Sequence, residues 1–449
     1  MNDIVLLFDD YGIESQNLHT SFLMADLDFP VIVIEDNGFL PENVISVYGY
    51  YLGDYKEVAG LPGKPLYFNQ ITVPDYWEIS ADNRSGKIHN LNHETGHIYY
   101  IEPLHKRLVR TVEWLDDKGV ARSLDHYNQY GACYARTTLD RNGKRIQKSY
   151  FSADGKEVIV ENYVTGAIIL EDEGTRRIFR SKTDFVIDFF RKQQIENCRI
   201  FFNSLSYPFF VSQKMPQNGG RDILFWQESR RPDIPGNMQM ILDGDATRTE
   251  KVLVQKRHSY DQLLALGANP QMVDKLGYVY PYQKDNENRP VALICTNSDQ
   301  IEKLTELVEG LPEMKFHIAA LTEMSSKLMS FATYENVQLY PGVKESVLDE
   351  LFEECDYYFD VNYQNEIVSA VSEAFLFNHI IFAFEQTVHN RDLIADEHIF
   401  WAADYENMIH TVKCCLQDTA VADEHLKWQQ KAALDESPRR LRALVDEEQ

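Results

Sequence analysis

Three histidines, His89, His93 and His97, recur every fourth residue, a spacing that would set imidazoles on one helical face to ligate a divalent metal. Asn90, Asn92, Thr95 and Gly96 stand among them and favour a hairpin loop, so no metal is assigned there or elsewhere. Nucleophile and phosphate motifs are missing. The chain has no Gly-x-Ser-x-Gly elbow, P-loop or Gly-x-Gly-x-x-Gly, and the turn after its first apolar run reads Asp9-Asp10-Tyr11-Gly12. Thr387-Val388-His389-Asn390-Arg391-Asp392 is polar and follows an apolar strand; ligands of parallel sheets gather at strand carboxyl ends, so this segment is expected to face a cleft. Cys133, Cys198, Cys295, Cys355, Cys414 and Cys415 lie in apolar runs without paired spacing and read as reduced core thiols. No cofactor is expected.

The elements that must position such a cleft are those of two parallel sheets. Strand Ile4 to Phe8, helix Glu14 to Ala25 and strand Pro30 to Glu35 form an opening βαβ unit. The same grammar resumes with an amphipathic helix from Thr183 to Lys192 and strands at Arg199–Phe202, Asp222–Trp226 and Glu250–Gln255. From Pro290 strands and helices alternate: strands at Val291–Cys295, Lys315–Ala319, Val337–Tyr340, Tyr357–Asp360 and Ile380–Phe384, helices at Asp299–Glu309, Glu323–Met329, Lys344–Glu353 and Glu366–Phe375. The tail from Ala422 to Val445 reads as helical, with Leu426, Trp428, Ala433, Leu441 and Leu444 to bury.

Between the halves, Glu94-Thr95-Gly96, Asp117-Lys118-Gly119, Arg141-Asn142-Gly143, Ala153-Asp154-Gly155 and Asp172-Glu173-Gly174 punctuate runs rich in Val, Ile, Tyr, Phe and Thr. This is the chemistry of an antiparallel meander. Its edges and alternate side chains offer surface to a polypeptide or a partner subunit. The expected fold is α/β and GT-B-like: a first Rossmann-like domain over 1–52 plus 182–285, an inserted β-meander over 53–181, and a second Rossmann-like domain over 286–449 whose C-terminal helix crosses back to the first.

A formal charge of −26 argues against nucleic acid as a partner, because phosphate would be repelled. The charge is uneven. Residues 104–150 hold ten Lys and Arg against five Asp and Glu, whereas 340–449 hold eight against 23. Lys106, Arg107, Arg110, Arg122, Arg136, Arg141, Lys144, Arg145 and Lys148 therefore form a candidate patch for an acidic partner or anionic lipid heads. The start of the chain has no basic n-region and no run reaches the ~18 apolar residues of a membrane span, so a cytoplasmic location is expected, with peripheral contact at the membrane's inner face.

Two doubly wound domains around a cleft are the GT-B architecture of nucleotide-sugar glycosyltransferases. Retaining members carry Arg and Lys after the first strand of the second domain and a Glu-x7-Glu pair near its end, because a departing diphosphate needs fixed positive charge. Here the first position reads Cys295-Thr296-Asn297-Ser298-Asp299-Gln300, with Lys303 beyond it as a solvated helix residue. Eight residues before Glu373 stands Asn365, and Glu366 and Val368 replace the glycines that let backbone approach phosphate. Independent turnover of a nucleotide sugar is not expected. The competing reading is an active retaining enzyme that uses Glu366 or Glu373 with an atypical donor site.

The runs Asp36-Asn37-Gly38-Phe39-Leu40-Pro41, Lys64-Pro65-Leu66-Tyr67-Phe68-Asn69-Gln70, Val73-Pro74-Asp75-Tyr76-Trp77-Glu78-Ile79, His105-Lys106-Arg107-Leu108-Val109 and Thr387 to Asp392 resemble the GtfB-type accessory subunit of the bacterial two-subunit O-linked N-acetylglucosamine transferase. So does His317-Ile318-Ala319-Ala320-Leu321-Thr322-Glu323-Met324-Ser325-Ser326-Lys327-Leu328. The resemblance implies a non-catalytic subunit that stabilises a catalytic GtfA-type glycosyltransferase in a hetero-oligomer. It further implies that this subunit holds a serine-rich repeat adhesin for transfer from UDP-GlcNAc before accessory Sec export. On that basis a vacant cleft can recognise acceptor or attached sugar, with Trp226, Glu228, His317, Asn365, Glu366, His389 and Asn390 as candidates, since aromatic and amide groups suit neutral sugars.

Overall fold

The computed structural model describes residues 4–56, 58, 60–172, 174–217, 220–229, 231–363 and 366–446. A seven-stranded parallel sheet is built from β1 (Ile4–Phe8), β2 (Val31–Val33), β3 (Val44–Ser46), β14 (Arg199–Phe202), β15 (Asp222–Trp226), β16 (Thr249–Val254) and β17 (Val273–Lys275), in the order β17-β16-β15-β14-β1-β2-β3, with β1, β2, β14 and β15 buried over their whole length. This sheet is the first lobe. The second lobe is a six-stranded parallel sheet of β18 (Val291–Cys295), β19 (Lys315–Ala319), β20 (Val337–Tyr340), β21 (Tyr357–Asp360), β22 (Ile380–Phe384) and β23 (Ile399–Phe400), ordered β20-β19-β18-β21-β22-β23.

The meander is a ten-stranded antiparallel sheet whose strands are neighbours in chain order: β4 (Trp77–Ala81), β5 (Ser85–Asn90), β6 (His93–Tyr100), β7 (Val109–Leu115), β8 (Ala121–Tyr127), β9 (Cys133–Leu139), β10 (Arg145–Phe151), β11 (Glu157–Asn162), β12 (Ile168–Asp172) and β13 (Thr175–Phe179). Gly119, Gly143 and Gly155 take the positive φ their hairpins require. Glu94-Thr95-Gly96 is not a turn. Those residues lie inside β6, and Gly96 is needed because a Cβ there would stand 2.7 Å from the Glu113 carbonyl oxygen on β7. The reversal falls instead between Asn90 and His93, where Leu91 adopts φ 56°. Glu173 lies outside the described residues.

Register shows that the two halves of this sheet bury opposite faces. Tyr150 stands opposite Ile159 and Ile159 opposite Leu170, and this row packs on the first lobe with Tyr48 and Phe185. Ser149, on the other face, continues a row through Arg136, Asp125 and Val112 to Ile98. At that end Ile98 and Val112 form a separate core with Leu66 and Ile71 from the segment preceding β4. The first junction is heavily apolar: the Tyr48 and Tyr150 rings stack at 4.5 Å, and each such buried side chain contributes about 1.5–3 kcal/mol.

Several helices are shorter than the periodicity suggests. The expected helix from Asp299 begins at Leu304, because Lys303 adopts a left-handed φ and Ile301 bridges Asn362. The one expected from Glu366 begins at Ala370, after Val368 and Ser369 at φ 48° and 51°. The expected helix Glu323–Met329 is a single turn over Ser326–Met329. Helix Pro438–Asp446 lies against the first lobe: Leu441 is fully buried in the core containing Leu18 and Phe22, and Arg442 Nε donates to the Ala25 carbonyl at 2.7 Å. Trp428 is not buried; it is 37% exposed with its ring against His425. No helix among the described residues is long and apolar enough to cross a membrane.

Candidate functional site

The carboxyl ends of the two parallel sheets face one another. Lys256, directly after β16, reaches Asp392 after β22 at 3.6 Å and Glu14 of the first lobe at the same distance, and Arg257 reaches Asp396 at 2.8 Å. On the first lobe an amide network ties the strand ends together. Asn203 Nδ2 donates to Ser15 Oγ at 2.8 Å and to Gln227 Oε1 at 3.0 Å, while Gln227 Nε2 donates to Gln255 Oε1 at 2.8 Å. Asp9 accepts from Ser204 at 3.2 Å, and burial pushes its carboxyl above the ordinary range, with Glu35 adding to the shift. The Gly12 amide at the start of helix Ile13–Met24 donates to the Asp10 side chain at 2.9 Å.

Asp360 ends β21 fully buried on the second lobe, and its two oxygens accept from the His389 amide at 2.7 Å and His389 Nδ1 at 2.5 Å. Thr387 Oγ1 donates to the Asp360 carbonyl at 2.8 Å, so the segment after β22 is fastened to the end of β21. Beside them the Glu366 carboxylate accepts the Val371 amide at 2.6 Å. Burial raises the Glu366 pKa and Asp360 raises it further, against the Val371 amide and the nearby His389. Thus each lobe turns one of its own carboxylates, Asp10 and Glu366, onto the backbone amides at the start of a helix. Those amides are where a phosphate would otherwise look for donors.

Lys303 and Arg391, two cations of the second lobe, are both paired. Lys303 pairs with Glu306 at 3.1 Å, Arg391 with Glu385 at 2.6 Å, and Asn297, shortly after β18, accepts the Leu321 amide at 3.0 Å. Among the described residues the cluster of Asp360, Glu366 and His389 has the chemistry to hold hydroxyl and amide groups, not a diphosphate.

Of the sequence candidates, His389, Asn390 and Glu366 come together at this end of the second lobe. Trp226 does not join them: it is 2% exposed within the apolar core of the first lobe. Neither does His317, which is wholly buried at mid-strand with Nδ1 against Tyr340 Oη at 2.7 Å. Glu228 is exposed and pairs with Arg231 at 2.6 Å, and Asn365 lies outside the described residues. Asp360, Lys256 and Arg257 were missed; a carboxylate closing an apolar strand and a Lys-Arg pair following one were the available signals.

The basic residues of the meander form no single patch. Arg136 stands opposite Ser149 whereas Lys148 stands opposite Thr137, so the two side chains leave by opposite faces. Lys148 is buried with its ammonium 4.7 Å from the Tyr150 ring centroid, where burial lowers its pKa. Arg136 clasps Asp125, Arg122 pairs with Asp116, Arg107 donates to Asn83, and Lys106 reaches Glu345 of the second lobe at 3.0 Å. Arg110, Arg141, Lys144 and Arg145 are exposed, with Arg110 near the start of β7 and the others at the β9–β10 hairpin. His89 and His93 flank the β5–β6 hairpin, while His97 lies between Glu94 at 2.7 Å and Glu113 at 2.8 Å.

Family models match the chain in four blocks: a GtfB N-terminal domain over residues 5–51, a GtfB middle domain over 77–180, a GtfB third domain over 182–266 and a GftB/GlyA-F C-terminal domain over 292–429. The UDP-N-acetylglucosamine–peptide N-acetylglucosaminyltransferase stabilizing protein GtfB of Streptococcus agalactiae is 43% identical over 91% of this chain and 92% of its own length. Its Streptococcus gordonii counterpart is 44% identical over 88% of each. A chain in the crystal structure of a GtfA/B complex bound to UDP and GlcNAc superposes with a TM-score of 0.92 at 40% identity, over 99% of both chains. Pneumococcal O-GlcNAc transferase GtfA in complex with UDP and GlcNAc, at 14% identity and a TM-score of 0.53 over 99% of this chain and 98% of that one, shares the fold. The chain therefore belongs to the GtfB family of glycosyltransferase-stabilizing proteins, with the GT-B-like fold its strand pattern suggests.

Proposed function

We propose that this chain is a non-catalytic co-activator. It binds and stabilises a catalytic GtfA-type glycosyltransferase and presents a Ser/Thr-rich adhesin polypeptide for O-linked transfer of GlcNAc from UDP-GlcNAc, on the cytoplasmic side before accessory Sec export. One observation carries the non-catalytic part. Where a donor diphosphate would need cations, the second lobe presents Asp360 and Glu366, with Glu366 on the Val371 amide. Relatives named as stabilizing proteins and the likeness to a chain of a GtfA/B complex support the partner.

A flexible acceptor pays ordering entropy at every encounter. A subunit that holds it raises its effective concentration at the partner's active centre. The meander supplies surface for such a complex: on the face turned away from the first lobe, Val160, Ile169 and Ile178 stand in one row, and Ile178 is 68% exposed. Purified chain incubated with UDP-GlcNAc and acceptor peptide should transfer nothing alone and should enhance transfer when co-purified with the catalytic subunit. Turnover by the chain alone would overturn the reading in favour of an active retaining enzyme.

A further inference from the structure

A cavity of about 280 Å3 opens where the first lobe meets the meander. The lobe contributes the loop over 36–42 at the end of β2, Val44 and Ser46 of β3, Gly49 and residues 52–56; the meander contributes Tyr134 and the segment over 128–130 between β8 and β9. Leu40, Val44 and Leu52 supply a buried aliphatic wall, and Tyr55, Tyr130 and Tyr134 add three phenol rings, the first and last of them buried.

The charges of this lining do not balance. Asp36, Glu42 and Asp54 stand against one cation, Lys56. Glu42 holds the Lys56 ammonium at 2.8 Å, with the two side chains 77% and 43% exposed, so that pair belongs to the rim. Asp54 is exposed as well and accepts the Lys56 amide at 2.8 Å. Asp36 is half-buried and accepts the Gly38 amide at 2.7 Å. Burial nevertheless raises its pKa, against the Ser46 hydroxyl, the Gly38 amide and the charge of Lys148. Its negative charge is therefore only partly compensated.

The proton donors of the lining are largely taken up by its own acceptors. Tyr55 Oη donates to the Phe151 carbonyl and Tyr134 Oη to the Asp36 carbonyl at 2.9 Å. Gln129 Nε2 donates to the Leu40 carbonyl at 2.8 Å, the Tyr130 amide to Asn128 Oδ1 at 3.1 Å and the Gly49 amide to Ser46 Oγ at 2.8 Å. An incoming group meets carboxylate oxygen, phenol lone pairs and ring faces, and must bring positive charge and protons of its own. An anion is repelled. An ammonium carries three donors and no acceptor, and an alkyl stem suits the aliphatic wall. The volume lies just below the ~300–1,000 Å3 typical of drug-sized ligands, room for a short amine chain.

We propose that this junction cavity is a binding site for a primary alkylammonium group, with the charge between Asp36 and the tyrosine rings and the methylene stem against Leu40, Val44 and Leu52. That chemistry has two sources: a lysine side chain on a bound polypeptide, or a free aliphatic diamine. Because the walls come from both the first lobe and the meander, either occupant ties the two together and stabilises the joined body.

The test titrates the full chain with butylammonium chloride, with n-butanol as the neutral control of similar shape, followed by ligand-observed NMR. Butylammonium should bind about tenfold more tightly than butanol, an advantage that Asp36→Asn and Tyr130→Ala each largely remove and Tyr130→Phe keeps. A diazirine-bearing alkylamine, photolysed on the unsubstituted chain and mapped by mass spectrometry, should label residues 36–56 and 128–134, a readout that depends on no variant folding. Equal binding of butylammonium and butanol, affinity indifferent to both Asp36→Asn and Tyr130→Ala, or labelling confined to other segments would each overturn the site. The complex with the catalytic subunit separates the two sources. Loss of butylammonium binding there, with one lysine of the companion shielded from acetylation until Tyr130→Ala frees it, identifies a lysine side chain; retained binding of butylammonium and of diaminobutane identifies a free amine.

Discussion

The first lobe is joined to the meander and to the second lobe by contacts of different kinds. Against the meander it shares one apolar core, in which Tyr48, Phe185 and Phe189 pack with Tyr150, Ile159 and Leu170. Inside that junction Lys182 binds Glu161 at 2.9 Å with both side chains 7% exposed, and it also meets Glu35. Against the second lobe it sets the ion pairs of Lys256 and Arg257, together with a strap in which the Tyr280 ring meets Phe375 at 4.7 Å. A large apolar interface moves as one body, whereas a small polar one permits hinge motion. The meander should therefore travel with the first lobe, and the second lobe should open and close over whatever lies between.

The comparison breaks most directly at the apolar junction. Phe185→Ala should cost about 3–5 kcal/mol and loosen both the lobe and the meander, read as a lowered urea midpoint with one shared transition. Two separate transitions in the unsubstituted chain would refute the single body. Next comes Lys182→Ala, which strands Glu161 without its partner; about 3 kcal/mol is expected from the same unfolding curve.

At the polar junction, stability and shape should part company. Arg257→Ala removes a partly exposed pair worth at most about 1 kcal/mol, yet small-angle scattering should report a wider separation of the lobes, with salt producing a like change in the unsubstituted chain. The smallest effect belongs to His97 on the meander. Burial opposes protonation there, but Glu113 and Glu94 outweigh it and raise the pKa. The contribution is thus complete below the ordinary histidine pKa of about 6.5 and is lost as pH rises through the elevated value. His97→Gln should flatten that slope of melting temperature against pH while shifting the melting temperature itself only slightly.

How much of this was legible follows from what pattern encodes. Apolar runs such as Ile4–Phe8 and Ile380–Phe384 are buried over their whole length, and they stood out in the sequence for that reason. The same property hides orientation. β19 is buried at four of its five positions, so nothing in Lys-Phe-His-Ile-Ala told that His317 turns toward Tyr340 and not toward the cleft. Gly96 resembled a turn glycine because its true requirement, contact with the Glu113 carbonyl across the sheet, involves a residue 17 positions away. Short edge strands such as Val44–Ser46 and Ile399–Phe400 have too few residues to show a period and went unread. The Asp360–His389 clasp spans 29 positions and only folding brings it together.

Helix Pro438–Asp446 closes over a helix that begins at Ile13, so a wall of the first lobe is completed by residues more than 400 positions downstream. During synthesis the face bearing Leu18 and Phe22 leaves the ribosome long before Leu441 does. At about 5–20 residues per second that interval lasts at least tens of seconds, during which a nascent chain exposes bare apolar surface and is open to chaperones or to early capture by a neighbouring polypeptide. Assembly with a companion subunit while translation is still under way would shorten the exposure.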